Sequence, residues 1–291
     1  MMADISTQAP PRNARTKAAM TYVRRNPTLV AGLLILGVIV VLAALAPLFV
    51  GDVITMKPMD RFKPPSADFL LGTDALGRDL LGRTLLGARV SLIVGCCVAV
   101  FAVSVGVLLG LLAGFFAWLE TPIMTVMDAL MSIPAVLLAI SLVSLTSAGI
   151  GTVIVAITVP EVPRVVRLVR SVVLSVRRQP YVEAAIAGGA RLPKILFRHI
   201  LPSTIPPLIV QASYIAASAI LVESALSFVG AGTPPEIPSW GNMISENRLY
   251  LTRVPMTIFA PGFALALTVL AINLIGDGLR DRLDPRMARR M

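Results

Sequence analysis

Six apolar runs divide the chain, and polar breaks separate them. The first, Leu29 to Val50, contains no charged residue. About 20 mostly apolar residues in helical form cross the hydrocarbon core of a bilayer, and this run is long enough. The second covers Val90 to Ala117. The third, Ile123 to Ser147, is interrupted by Pro134. The fourth opens at Gly149 and is short, reaching only Pro163. The fifth, Ile205 to Val229, carries Pro206 and Pro207 at its start, where a first helical turn has no use for the missing N–H. The sixth runs from Pro255 to Ile275. The pattern predicts an all-α, polytopic membrane protein with six transmembrane helices. Residues 1–28 form a tail, 29–50 the first helix and 51–89 a polar loop. Residues 90–279 form the core, with a long polar break at 171–204, and 280–291 form a second tail.

Two sub-patterns refine this picture. Gly106, Gly110 and Gly114 recur every four residues in the second run. That spacing puts three small residues on one helix face, where a neighbouring backbone can approach closely; glycine is also simply common in membrane helices. After Pro163, Arg164, Arg167 and Arg170 follow at three-residue spacing. Val162, Val165, Val166, Val169, Val172 and Val173 take the other face, so the fourth helix is expected to continue out of the bilayer as an amphipathic extension. Its arginines can snorkel to the interface.

Composition supports the membrane assignment. Of 291 residues, 56% are apolar and 14% charged, and the mean hydropathy is +0.83. A soluble domain has roughly 25% charged residues. The net charge is +10, but aromatic residues are scarce and the basic ones cluster between apolar runs, which argues against a nucleic-acid surface. The same clustering sets orientation. One side would hold Arg12, Arg15, Lys17, Arg24 and Arg25, eight basic residues from Arg164 to Arg198, and Arg280, Arg282, Arg286, Arg289 and Arg290, 18 basic residues in all. The other side would hold eight, six of them in a first loop that also carries five Asp. Basic loops stay cytoplasmic, so both termini are expected inside. A cleavable signal peptide ending near Ala44-Leu45-Ala46 fits less well, because the first run is too long and further spans follow.

Several chemistries lack their residues. There is no G-x-x-x-x-G-K-[ST] phosphate loop, no H-E-x-x-H and no G-x-S-x-G. His199 is the only histidine, and Cys96 and Cys97 are adjacent within an apolar run. No metal site, nucleophile–base pair or enzyme activity is expected. The intramembrane acids Asp128, Glu161 and Glu223 are costly at that depth. Each is open to two readings, lining a solute path or making structural hydrogen bonds; Glu161 could pair with Arg164. Gln211 and Tyr214 in the fifth run are further path candidates.

The segment Tyr181 to Pro202, YVEAAIAGGARLPKILFRHILP, is the most informative. It reads as a short helix through Glu183–Ala187, a glycine break at Gly188-Gly189 with a sharp turn at Gly189, and a second helix Leu192–Ile200 stopped before Pro202. Its physics fits either a rigid docking element or an ordinary basic loop. The segment resembles the EAA loop of ABC importer permeases, E-A-A-x3-G-x9-I-x-L-P, through Glu183, Ala184, Ala185, Gly189, Leu201 and Pro202. His199 replaces the pattern's Ile, in an R-H-I-L-P ending typical of the peptide group, and Gly188 stands where Leu is common. Further stretches resemble the C-type subunits of dipeptide and oligopeptide permeases. They are Leu71–Asp79 with Gly87–Leu92, Asp128–Ile140, Glu223–Phe228 with Pro238–Gly241, Asn273–Asp281, and Leu283-Asp284-Pro285-Arg286.

The resemblance implies a type I importer permease fold and peptide transport by alternating access. Coupling to ATPases would run through Glu183, Ala184, Ala185, Gly188, Gly189, Arg191, Leu201 and Pro202. It implies a second permease subunit, two ATPase subunits or domains that bind ATP and Mg, and an external substrate-binding protein. No cofactor is implied in this chain, and the implied location is a prokaryotic cytoplasmic membrane. Nickel and glutathione importers share this permease type. A stand-alone proton-coupled carrier using Asp128, Glu161 and Glu223 is the alternative of a different class.

Overall fold

The computed structural model describes residues 26–51, 53–145 and 149–283. The basic tails with Arg12, Arg15, Lys17, Arg24, Arg25, Arg286, Arg289 and Arg290, the Asp284–Arg286 end of the last motif, and the Ser147 end of the third run lie outside them. Nine named helices organise the described chain: α1 (Pro27–Phe49), α2 (Leu80–Phe115), α3 (Ala117–Met131), α4 (Ala135–Ser144), α5 (Ile150–Arg177), α6 (Pro180–Ala187), α7 (Leu201–Val229), α8 (Trp240–Asn247) and α9 (Met256–Leu283). Short 3-10 turns sit at Pro58–Asp60 and Arg248–Tyr250. Among the described residues there is no named strand, only an isolated bridge between Thr73 and Asp79.

Helix α2 starts ten residues before the expected Val90. Apolarity ends at Arg89, but helicity does not, because the Asp79 carboxylate caps the first turn by accepting from Gly82 N–H at 2.9 Å. The third run is two helices, α3 and α4, bent by 89° at the Pro134 break. The fourth is one 28-residue helix, α5, reaching Arg177. The polar break expected at 171–204 therefore contains most of the last turns of α5, all of α6 and the start of the next helix.

That next helix departs most from expectation. A turn at Leu192–Lys194 enters a π-helical turn, Ile195–Ile200, which continues directly into α7. It is not stopped before Pro202, and Pro206 and Pro207 lie inside α7 rather than opening it. The wider π turn, closed by Leu201 N–H on Leu196 O, carries the irregularity just ahead of the prolines. The polar break between the fifth and sixth runs contains α8. α7 ends as a glycine-capped helix: Gly230 has φ +85°, and Ala231 N–H donates to Leu226 O at 2.8 Å.

Among the described residues four helices are long and apolar enough to cross a membrane: α1, α2, the continuous Leu192–Val229 helix, and α9; the bent α3–α4 pair makes a fifth. α5 is too charged to count by apolarity, yet it is the main partner of α2. The three glycines build that seam. A Cβ on Gly106 would lie 2.4 Å from Val165 Cβ, one on Gly110 2.6 Å from Val169 Cβ, and one on Gly114 2.7 Å from Val173 Cβ. The offset is constant and both numbers rise together, so α2 and α5 run parallel. The chain between them must therefore return along the bundle, and α3 with α4 provides the return. At the other side of the bundle Gly32 lies on Ala271 and Ile275, and Gly278 on Leu29. Helices α1 and α9 are thus antiparallel, and both described chain ends leave on one face.

Candidate functional site

The EAA-like segment forms a compact bracket at the end of the bundle where α2 and α5 finish. Pro180 opens α6, Gly189 turns the chain at φ +73°, and Ala190 N–H returns to Ala185 O at 3.0 Å. Val182, Ile195 and Ile200 are buried and hold the bracket to the helices behind it. The outward face is different. Glu183, Ala184, Gly188, Gly189, Arg191 and Pro202 are exposed, and Ala185 and Leu201 are partly so. Beside them Tyr181, Ile186 and Phe197 also present large apolar surface. A cavity of about 330 Å³ opens between the end of α5 and α6, lined by Leu174, Arg177, Arg178, Glu183 and Ile186. The small residues allow close approach, and the apolar ones give a partner something to bury. Sequence reading did not single out Tyr181, Ile186 and Phe197; the signal that could have found them is that Tyr181 and Ile186 flank the alanines on a short helix, while Phe197 is an aromatic residue in a basic stretch.

The path candidates separate into different environments. Asp128 on α3 pairs with Arg167 on α5 at 2.6 Å. Glu161 is buried and pairs with Arg164 at 3.1 Å, while Ser218 of α7 donates to it at 3.3 Å. Glu120 of α3 pairs with Arg170. Each of the three evenly spaced arginines thus holds an acid. Gln211 and Tyr214 are partly buried on α7, and the Tyr214 hydroxyl donates to Asp277 of α9.

Glu223 stands apart from all of these. It is fully buried near the opposite end of α7 and accepts from Ser227 Oγ at 2.8 Å. Ser227 in turn accepts from Thr233 N–H at 3.2 Å, and Asn242 donates to Thr233 O at 3.0 Å. This network ties the segment after α7, and α8, to the bundle. Its geometry is that of structural hydrogen bonding.

A second cluster, at the start of α2, was not foreseen. Asp74 accepts from Leu76 N–H at 2.8 Å, Arg78 N–H at 2.9 Å and Arg78 Nε at 2.7 Å. Arg78 and the buried Arg83 both reach Glu246 of α8, Arg83 at 3.3 Å. Trp240, also fully buried, donates from Nε1 to Thr84 O at 2.9 Å. The loop before α2 and the segment before α9 are thereby locked into one platform. Asp74 and Arg78 four residues apart, just before a helix, gave a local hint; Glu246 lies too far along the chain for spacing to reveal it.

The sequence model of a family described as binding-protein-dependent transport system inner membrane component matches residues 106–289. A second, the N-terminal TM domain of oligopeptide transport permease C, matches residues 15–65. The chain is 58% identical to a probable peptide ABC transporter permease protein, y4tQ, of Sinorhizobium fredii (strain NBRC 101917 / NGR234), over 95% of each chain. It is 37% identical to the dipeptide transport system permease protein DppC of Alkalihalophilus pseudofirmus, over 93% of this chain and 90% of that one. A solved structure of the MetNI methionine ABC transporter, in an inward-facing conformation, superposes with a TM-score of 0.58. It is 21% identical and covers 68% of this chain and 94% of its own, a likeness of fold. The all-α bundle, its end bracket and these matches together place the chain in the family of binding-protein-dependent transport system inner membrane components, as an ABC transporter permease with the type I fold.

Proposed function

We propose that this chain carries peptides across a prokaryotic cytoplasmic membrane, and that α6 and the turn after it receive the driving force from partner ATPases. The observation that carries the coupling assignment is the exposed face of the bracket. Glu183, Ala184, Gly188 and Gly189 face outward beside exposed Tyr181, Ile186 and Phe197, while Val182, Ile195 and Ile200 fix the same segment to the bundle. A push on α6 therefore reaches α5 and α7 without slack. Arg191, Leu201 and Pro202 lie where the bracket joins α7, and Ala185 supports the turn through its carbonyl.

In this reading the chain itself performs no covalent chemistry and needs no cofactor; ATP and Mg belong to two ATPase subunits or domains. A second, related permease completes the pathway. An external binding protein delivers peptide to the platform formed by the loop before α2 and by α8. The peptide assignment rests on the names of the two relatives. The bracket and both termini face the cytoplasm, as the basic residues of α5 and those after α6, Arg191, Lys194 and Arg198, favour.

The test is reconstitution of the whole transporter in vesicles, with peptide uptake and ATP hydrolysis measured together. Glu183→Lys and Gly189→Pro are expected to insert and assemble, yet to lose at least tenfold in uptake. Proline fixes φ near −65° and cannot adopt the observed turn. Normal uptake by both variants would overturn the coupling assignment. Uptake driven by a proton gradient without any ATPase would favour a stand-alone carrier.

A further inference from the structure

We infer that one wall of the solute pathway is built by the α3–α4 break and the charged stripe of α5, with the Asp128–Arg167 pair at its centre; this rests on the permease reading above. Depth comes first. Gly106 lies against Val165 and Gly110 against Val169, so position 108 of α2 is level with position 167 of α5. At that level Leu108 is 60% exposed, and no charged residue occurs on the chain between Arg89 and Glu120. This is the hydrocarbon-facing side. On the other side of the same layer the Arg167 and Asp128 side chains are 46% and 58% exposed. Arg164, 49% exposed, lies one turn away with Glu161 buried behind it. Half-exposed charges at a depth where a neighbouring helix shows lipid an apolar face are not turned to lipid, because solvation there is too poor.

The helix break gives a second, independent indication. Ser132, Ile133 and Pro134 are exposed at the 89° bend. The first N–H groups of α4 have no partner within their own helix. Interrupted backbone at membrane depth is tolerated where it is covered by protein or lines a water-filled cavity. The exposed stripe of α5, Arg164, Arg167, Ser171 and Ser175, continues the same polar surface toward the bracket. The wall carries two acids and two arginines in matched pairs. Such a surface suits the hydrated, zwitterionic backbone of a peptide, since either terminus finds an opposite charge and neither is held by an uncompensated one.

The test uses the complete transporter with Cys96→Ala and Cys97→Ala. Peptide uptake by this background, measured first, examines the permease reading separately. Single cysteines are then placed at Ser132, Ser171 and Arg167, with Leu108→Cys as the lipid-side reference. A charged, water-soluble methanethiosulfonate reagent is expected to modify the first three at least tenfold faster than Leu108→Cys. Should Arg167→Cys fail to assemble, Ser132→Cys and Ser171→Cys, which remove no ion pair, decide the matter. Modification as slow as at Leu108→Cys overturns the wall. In that case rapid reaction with lipid-soluble N-phenylmaleimide would assign the surface to lipid, and slow reaction with both reagents would assign it to a dry contact with the second permease.

Discussion

Asp74 shows how much one side chain can organise. Its carboxylate is buried and accepts two backbone N–H groups of the turn that follows while holding Arg78. Arg83 lies near it, with Nε 3.9 Å away, and shares Glu246 with Arg78. Two buried guanidinium groups are thus balanced by two carboxylates drawn from distant segments. Removing one partner of a buried ionic cluster leaves an uncompensated charge, at a cost of about 3–5 kcal/mol. Asp74→Ala is therefore expected to lower the thermal stability of the detergent-solubilised transporter clearly, read as loss of the monodisperse complex after heating. Glu246→Gln should be milder, because Glu246 remains 25% exposed and water can replace part of what is lost. Equal stability of Asp74→Ala and the parent would show that the cluster does not hold the platform. These residues sit in a stretch that already drew notice as a motif. Their energetic role stayed hidden, because charge balance in three dimensions depends on Glu246, 172 residues further on.

At the scale of the element, the close-packing glycine face of α2 was legible in advance. Glycines every four residues on one helix and valines at the same spacing on another are complementary surfaces, and the structure brings Gly106, Gly110 and Gly114 onto Val165, Val169 and Val173. The partner helix could not be read, since glycine spacing names no partner. The start of α2 and the passage through Pro202 were misread for a common reason. Hydropathy reports where lipid ends, and proline reports where an N–H is missing, but a helix can outrun both when a cap or a π turn satisfies its backbone. The seam gives a graded prediction. Gly110→Ala puts a Cβ within 2.6 Å of Val169 Cβ, and such overpacking costs about 1–3 kcal/mol. Gly110→Leu is expected to prevent assembly. Gly37, whose added Cβ would meet nothing within 4 Å, is the control, and Gly37→Ala should be neutral. Yield of assembled complex and its melting temperature check the series; a tolerated Gly110→Leu would contradict close packing at the seam.

For the whole molecule, topology follows from register more firmly than from counting apolar runs. Parallel α2 and α5 require α3 and α4 to bring the chain back, even though α5 is too charged and the α3–α4 pair too bent to read as ordinary spans. Antiparallel α1 and α9, set by Leu29 against Gly278, put both ends of the described chain on one face. α5 runs on to the bracket, and α7 leaves it for the end that carries Glu223 and α8. The bundle therefore has one end with the Asp74–Glu246 platform and an opposite end with α6 and the π turn. Basic residues from Arg164 to Arg198 crowd toward the second end, while the first mixes cations with acids, so the bracket should lie inside the cell. Met59 in the platform loop and Leu249 beside α8 are 94% and 81% exposed. With the two native cysteines replaced, Met59→Cys and Leu249→Cys should react with an impermeant maleimide on intact cells. Phe197→Cys, 65% exposed on the bracket, should react only after the membrane is opened. Labelling of Phe197→Cys on intact cells would invert the molecule. It would also remove the ground for coupling to cytoplasmic ATPases, since one orientation determines both which end meets peptide and which end meets the motor.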